Sequence, residues 1–209
     1  ISVLRQITPE NVAKDVVFLE GKPGVMKEEG GFGGGSTELQ FVGPNPSGAA
    51  KITYFLKKRH TFGKMSMQIQ DDEGNKIAEL SPGKSKGLNF VQWNFNMKPP
   101  KVAAGKTMSF GGFTPPRVKA GTYNVVLNKG KDTYKTTIKV ENDPNSPITP
   151  AERDAQYKTT MELYKMTEDL AYMVYEIDTY IEKAEAVVKT NPKAEKLADK
   201  MTSQLNELK

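Results

Sequence analysis

The hydrophobic period of this chain changes once, at Asp143-Pro144, and that change restricts the available folds more than any other feature. Between residues 37 and 143, apolar side chains recur at every second position, the repeat of strands with one face in a core. Ile52, Tyr54 and Leu56 alternate with Thr53, Phe55 and Lys57; Met65, Met67 and Ile69 alternate with Ser66, Gln68 and Gln70. Tyr134, Thr136, Ile138 and Val140 alternate with Lys135, Thr137 and Lys139. Asp72-Glu73-Gly74-Asn75 and Asn128-Lys129-Gly130-Lys131 carry turn chemistry, which predicts hairpins of 65–71 with 76–80 and of 122–127 with 132–140. With strands at 39–42 and 88–95, about seven strands in roughly a hundred residues are the inventory of an immunoglobulin-like or fibronectin-III-like β-sandwich.

After Pro144 the repeat becomes helical. Thr149-Pro150-Ala151-Glu152 is a capping box with proline at the first helical position. Tyr157, Met161, Tyr164, Leu170, Val174, Ile177, Ile181, Ala184 and Val188 then follow a helical spacing, with no Gly or Pro before Pro192. Asn191-Pro192 resets the chain, and Leu197, Met201, Leu205 and Leu208 mark a second, shorter helix. The expected fold is mainly β with α: a sandwich at 37–143 followed by an antiparallel helical hairpin at 144–209. Residues 1–36 read as a linker and strand after an upstream domain. In that stretch Thr8 caps a short helix from Pro9 to about Ala13, and Gly21, Pro23 and Gly24 stop the apolar run Asp15-Val16-Val17-Phe18-Leu19. The glycines at 30–35 read as a flexible connector, and 97–120, with four prolines and three glycines, as a long loop covering a sheet or reaching a neighbour.

Composition removes whole classes of chemistry. The 209 residues include no cysteine and one histidine, which excludes disulfides, thiolate zinc sites, cysteine nucleophiles and multi-histidine metal sites within the chain. His60 follows Lys57-Lys58-Arg59 with no carboxylate beside it, a poor setting for a general base. The net charge of +5 is uneven, since residues 150–209 hold 9 Lys+Arg against 12 Asp+Glu and the front part carries the excess of cations. Those lysines are scattered and no nucleic-acid-binding pattern accompanies them, so no nucleic acid is expected. No apolar run approaches the roughly 18 residues of a membrane span. The first residue is Ile1, and the chain reads as a piece of a longer protein.

No catalytic, cofactor-binding or metal-ligating residue nominates itself. The glycine run lacks the Gly-Lys-Ser/Thr of a phosphate loop, and Asp71 to Asn75 lacks the spacing of a calcium loop. A glycosidase needs two carboxylates facing across a cleft, and the acids here sit in turns or singly on strands. Trp93 shares a strand face with Val91 and Phe95 and is expected in the core, with Gly121 permitting a turn and Tyr123 facing inward beside Val125 and Leu127. A helix over 150–189 would run about 60 Å, whereas strands of this kind span about 17–20 Å. The part of its apolar stripe around Tyr157, Met161 and Tyr164 is therefore the candidate interface.

Four segments in order, 52–58, 67–77, 87–93 and 120–127, resemble the small sandwich of the flagellar hook scaffold and of the C-terminal region of bacterial sortilin-like, BNR-repeat propeller proteins. Leu4-Arg5-Gln6-Ile7-Thr8-Pro9-Glu10 is similar to the segment after the last propeller blade in the latter family, and so is the Asp143-Pro144 exit into a helical tail. Members are often described as glycosyl hydrolases because of the propeller and are typically exported, frequently in Bacteroidetes-like bacteria. None of the family's catalytic residues falls in these positions. The resemblance implies a non-catalytic accessory module without a cofactor, located in the periplasm, on the outer surface or outside the cell. It would brace the propeller of its own protein or dock another exported protein. A carbohydrate-binding or glycosidase-accessory domain, with a glycan as ligand, is the alternative. A type IX secretion sorting domain shares the Gly-Thr-Tyr pattern but would end the polypeptide, whereas 69 residues follow Val140.

Overall fold

A computed structural model describes residues 2–27, 48–103 and 115–208. The strand expected at 39–42, the glycine run at 30–35 and the middle of the 97–120 stretch lie outside those residues. The chain divides into two compact units, Ile1–Lys98 with Arg117–Pro150, and Pro99–Pro116 with Ala151–Lys209.

The first unit is a sandwich-like arrangement of two sheets. Strands β1 (Val16–Leu19), β3 (Ala50–Leu56) and β6 (Gly87–Trp93) form an antiparallel sheet in the order β1-β3-β6. Strands β2 (Gly24–Met26), β4 (Met65–Gln70), β5 (Lys76–Leu80), β7 (Gly121–Lys129) and β8 (Asp132–Asn142) form the second, in the order β2-β8-β7-β4-β5. Both predicted hairpins are present. In the β7–β8 hairpin Lys129 faces Asp132, and Gly130 takes a φ of 63° in the two-residue turn, a conformation an L side chain resists. In the β4–β5 hairpin the Asp71 carboxylate accepts the Asn75 backbone N–H at 2.7 Å, closing the loop locally.

The stretch read as a linker contributes strands to both sheets. β1 pairs with β3, and β2 runs parallel to β8 with Gly24 opposite Val140. The sandwich thus starts at Val16, and the boundary drawn between residues 36 and 37 does not separate it from what precedes. Four- and three-residue strands carry too little period to announce a partner; pairing with strands this distant in sequence is a tertiary event. The short helix α1 (Pro9–Ala13) starts as predicted, with the Thr8 hydroxyl accepting the Asn11 N–H at 3.3 Å. Beside it the Asp15 carboxylate accepts from Lys129 Nζ and from Tyr134 Oη at 3.2 Å, tying the start of β1 to the β7–β8 hairpin. The Lys129 bond holds the Asp15 carboxyl below its ordinary range, although burial opposes it.

Between the sheets the alternating residues meet. Ala50, Ile52, Tyr54 and Leu56 of β3 pack in one cluster with Met65, Met67 and Ile69 of β4, Val91 and Trp93 of β6, Val125 and Leu127 of β7, and Ile138 and Val140 of β8. Tyr54 is fully buried and settles its hydroxyl by donating to the Gly83 carbonyl at 2.6 Å. Burial pushes its pKa up to about 12. A raised folded pKa means that stability is fully present below the tyrosine's ordinary value near 10 and is lost as pH climbs towards 12. Tyr54→Phe is expected to cost about 1 kcal/mol at neutral pH and to remove its share of the alkaline loss. Urea midpoints of both proteins across that window check this: curves that stay parallel would refute the assignment.

The second unit holds α2 (Pro150–Thr190) and, after a single 3-10 turn at Pro192–Ala194, α3 (Glu195–Glu207). The long helix begins at the capping box and ends at Asn191-Pro192, as its sequence dictates. For α3 the expected stripe of Leu197, Met201, Leu205 and Leu208 is not the covered one. Leu197 and Leu208 are exposed, while Ala194, Ala198, Thr202 and Leu205 form the half-buried line. Alanine and threonine weigh little in a stripe read from side-chain size, so the sequence did not point to this line.

Candidate interaction surface

Several acids of the sandwich are held singly by neighbouring groups. Asp15 is held by Lys129 and Tyr134, Asp71 accepts from Asn75, Glu79 pairs with Lys76 at 2.9 Å, and Glu141 pairs with Lys139 at 2.8 Å. Among the described residues no three His, Asp or Glu side chains come together to hold a metal ion. The Nε2 of His60 is buried without a hydrogen-bond partner among the described residues, and the His60 backbone N–H donates to the Lys84 carbonyl at 3.0 Å. A groove of about 590 Å³ lies over β3 and β6, lined by Lys22, Lys27 and Lys51 with Leu4, Leu88 and Phe90. Lys51 Nζ already sits 4.3 Å from the centre of the Phe90 ring.

Trp93 is only 2% exposed, and its indole N–H donates to the Asn96 carbonyl at 3.0 Å. The ring packs edge-on against Tyr123 at 5.4 Å and tilted against Phe95 at 5.8 Å. Tyr123 is half-buried and donates its hydroxyl to the Lys119 carbonyl at 2.8 Å. Gly121 differs from expectation. It opens β7 opposite Val140, its φ is not left-handed, and an added Cβ would meet nothing nearer than the Tyr123 ring at 3.9 Å. No turn here requires glycine. A strand position that does exclude a side chain is Gly24, where a Cβ would stand 2.6 Å from Phe95 Cε1 and 2.8 Å from Ala50 Cβ.

On α2 the structure separates two apolar stripes that one helical period had merged. Tyr157, Met161 and Tyr164, the residues the sequence nominated, are half-buried, as are Ala171, Val174, Ile181 and Val188. The Tyr164 hydroxyl donates to Glu168 Oε1 at 3.3 Å, and the same oxygen accepts the Lys101 backbone N–H at 3.1 Å. Burial, then the Glu168 charge, raises the Tyr164 pKa. Lys101 also lies 5.0 Å from the Tyr172 ring, so residues near 101 line this side of the helix. The open side carries Leu163 (58% exposed), Met166 (65%), Leu170 (57%) and Met173 (55%), followed by Tyr180 and Val187, also exposed. Position counting finds both stripes but cannot say which one the fold covers, because that depends on where 99–103 returns to the helix.

Among the described residues no helix is long and apolar enough to cross a membrane. No protein-family model matches the chain, and neither does any curated protein. Among solved structures, CopC from Methylosinus trichosporium OB3b aligns over 47% of this chain and 80% of its own, at 12% identity and a TM-score of 0.26, a likeness too slight to carry an argument.

Proposed function

We propose that the chain is a non-catalytic interaction module of an exported bacterial propeller protein, and that it braces the propeller or docks a partner through α2. The observation that carries this reading is the exposed row Leu163, Met166, Leu170 and Met173 on a 41-residue helix, since apolar rows of that kind usually mark interfaces. The propeller context rests on the order of the sandwich segments and of the flanking 4–10 and 143–144 motifs. The engagement of Asp15, Asp71, Glu79 and Glu141 with lysines and turn amides favours a non-catalytic role. Burial of Trp93 takes away the ring that a glycan platform would have used.

Methionine-oxidation footprinting tests the reading, because Met166 and Met173 lie on the open row. Both are expected to oxidise readily in the isolated chain and several-fold more slowly in the full natural protein or with its partner. Equal reactivity in all settings, or turnover of a glycan or ester abolished by a point substitution in this chain, would refute it.

A further inference from the structure

The open row continues along α2 with a regular spacing. Leu163, Met166, Leu170, Met173, Ile177, Tyr180, Ala184 and Val187 follow one another at alternating steps of three and four. That is a 3.5-residue repeat, the one that winds two helices around each other with side chains seated knob-into-hole. Sustained over more than three heptads and bordered by charges, this spacing argues for a helix as the partner. The seam runs about 36 Å at 1.5 Å per residue. Ala184 is buried and Ile177 half-buried, and the other six seam residues are exposed.

The flanks of the seam differ in charge. On one side Glu162, Asp169 and Glu176 recur every seventh residue, all exposed, and Lys183 takes the next place. On the other, Thr167, Val174, Ile181 and Val188 carry no charge. A helix laid in the seam places its own flanking residues beside those acids, and cations there are favoured. A second copy fits less well. Parallel, its uncharged flank would face the acids; antiparallel and fully overlapped, Asp169 would meet Lys183, but Glu176 would meet its own counterpart and Met166 would fall on Ala184, which the chain already buries.

Resting on the reading of α2 as the docking element, we infer that its partner is a helix of another polypeptide with an apolar seam of 3.5-residue period and a Lys/Arg-rich flank beside Glu162, Asp169 and Glu176. The experiment uses the 209-residue chain and three synthetic peptides of about four heptads. One has leucine at the seam and lysine at the flanks, one has leucine with glutamate flanks, and one has the first peptide's composition scrambled. Fluorescence anisotropy at low and moderate salt, with sedimentation velocity of the chain alone, gives the readout. The lysine-flanked peptide is expected to bind at least tenfold more tightly than the other two, and to weaken as salt rises. Glu162→Gln/Asp169→Asn/Glu176→Gln should abolish that preference, and Leu170→Lys/Met173→Lys should abolish binding while Trp93 fluorescence reports an unchanged sandwich. Equal binding of the two leucine peptides, no binding of either, or a dimer dissolved by Leu170→Lys/Met173→Lys would overturn the inference. Protection of Met166 and Met173 in the natural protein would then still stand for the docking role, so the two failures are distinguishable.

Discussion

Trp93→Ala is expected to cost about 3–5 kcal/mol, enough to leave a sandwich of ordinary stability close to unfolding. The indole fills the junction of three elements: it is the last residue of β6, it pairs in register with Ala50 of β3, and it packs on Tyr123 of β7. Its removal deletes contacts on both sheets and leaves the Asn96 carbonyl without the indole N–H. Trp93→Phe should recover most of the packing and lose mainly the hydrogen bond. Chemical denaturation of the three proteins decides the matter. An alanine variant as stable as the parent would show that the core does not depend on this ring.

Gly24→Ala is expected to destabilise by about 1–3 kcal/mol although it adds a single methyl group to a strand, where alanine is ordinarily no worse than glycine. The reason is local crowding. The new Cβ would stand 2.6 Å from Phe95 Cε1 and 2.8 Å from Ala50 Cβ, so the Phe95 ring must move or β2 must leave β8. Phe95 has little room to yield. It is 3% exposed, lies against Trp93, and holds a left-handed φ of 64°, which a bulky residue adopts only when its surroundings compel it. The control is Gly121→Ala, where the nearest atom to the added Cβ is 3.9 Å away and little change is expected. Calorimetric melting of both variants checks the contrast. A Gly24→Ala protein that melts with the parent would mean that β2 is not seated on the core as described.

The two glycines show why local sequence was a poor guide at these positions. Gly121 stands in an Ala-Gly-Thr-Tyr run that looks like turn chemistry, yet the backbone there is already extended strand. Gly24 looks like a strand breaker after Pro23, yet it is a strand residue whose missing side chain makes space for a ring seventy-one positions along the chain. Helix α2 repeats the lesson. Its 3.6-residue period named Tyr157, Met161 and Tyr164, and the open surface lies on the neighbouring stripe through Leu163 to Met173.

By itself the sequence determined the types of the longer elements, the two hairpins, the faces of β3, β4, β7 and β8 that turn inward, the start of α2 and the break at Asn191-Pro192. These depend on neighbours within a few residues: side-chain alternation, turn glycines, a capping box and a proline without an amide hydrogen. Only the tertiary structure decided that β1 and β2 complete the two sheets, that Gly24 rather than Gly121 must be glycine, and which stripe of α2 stays open. Each of these depends on atoms brought together from distant parts of the chain, and a contact of that kind leaves no period in the sequence to read.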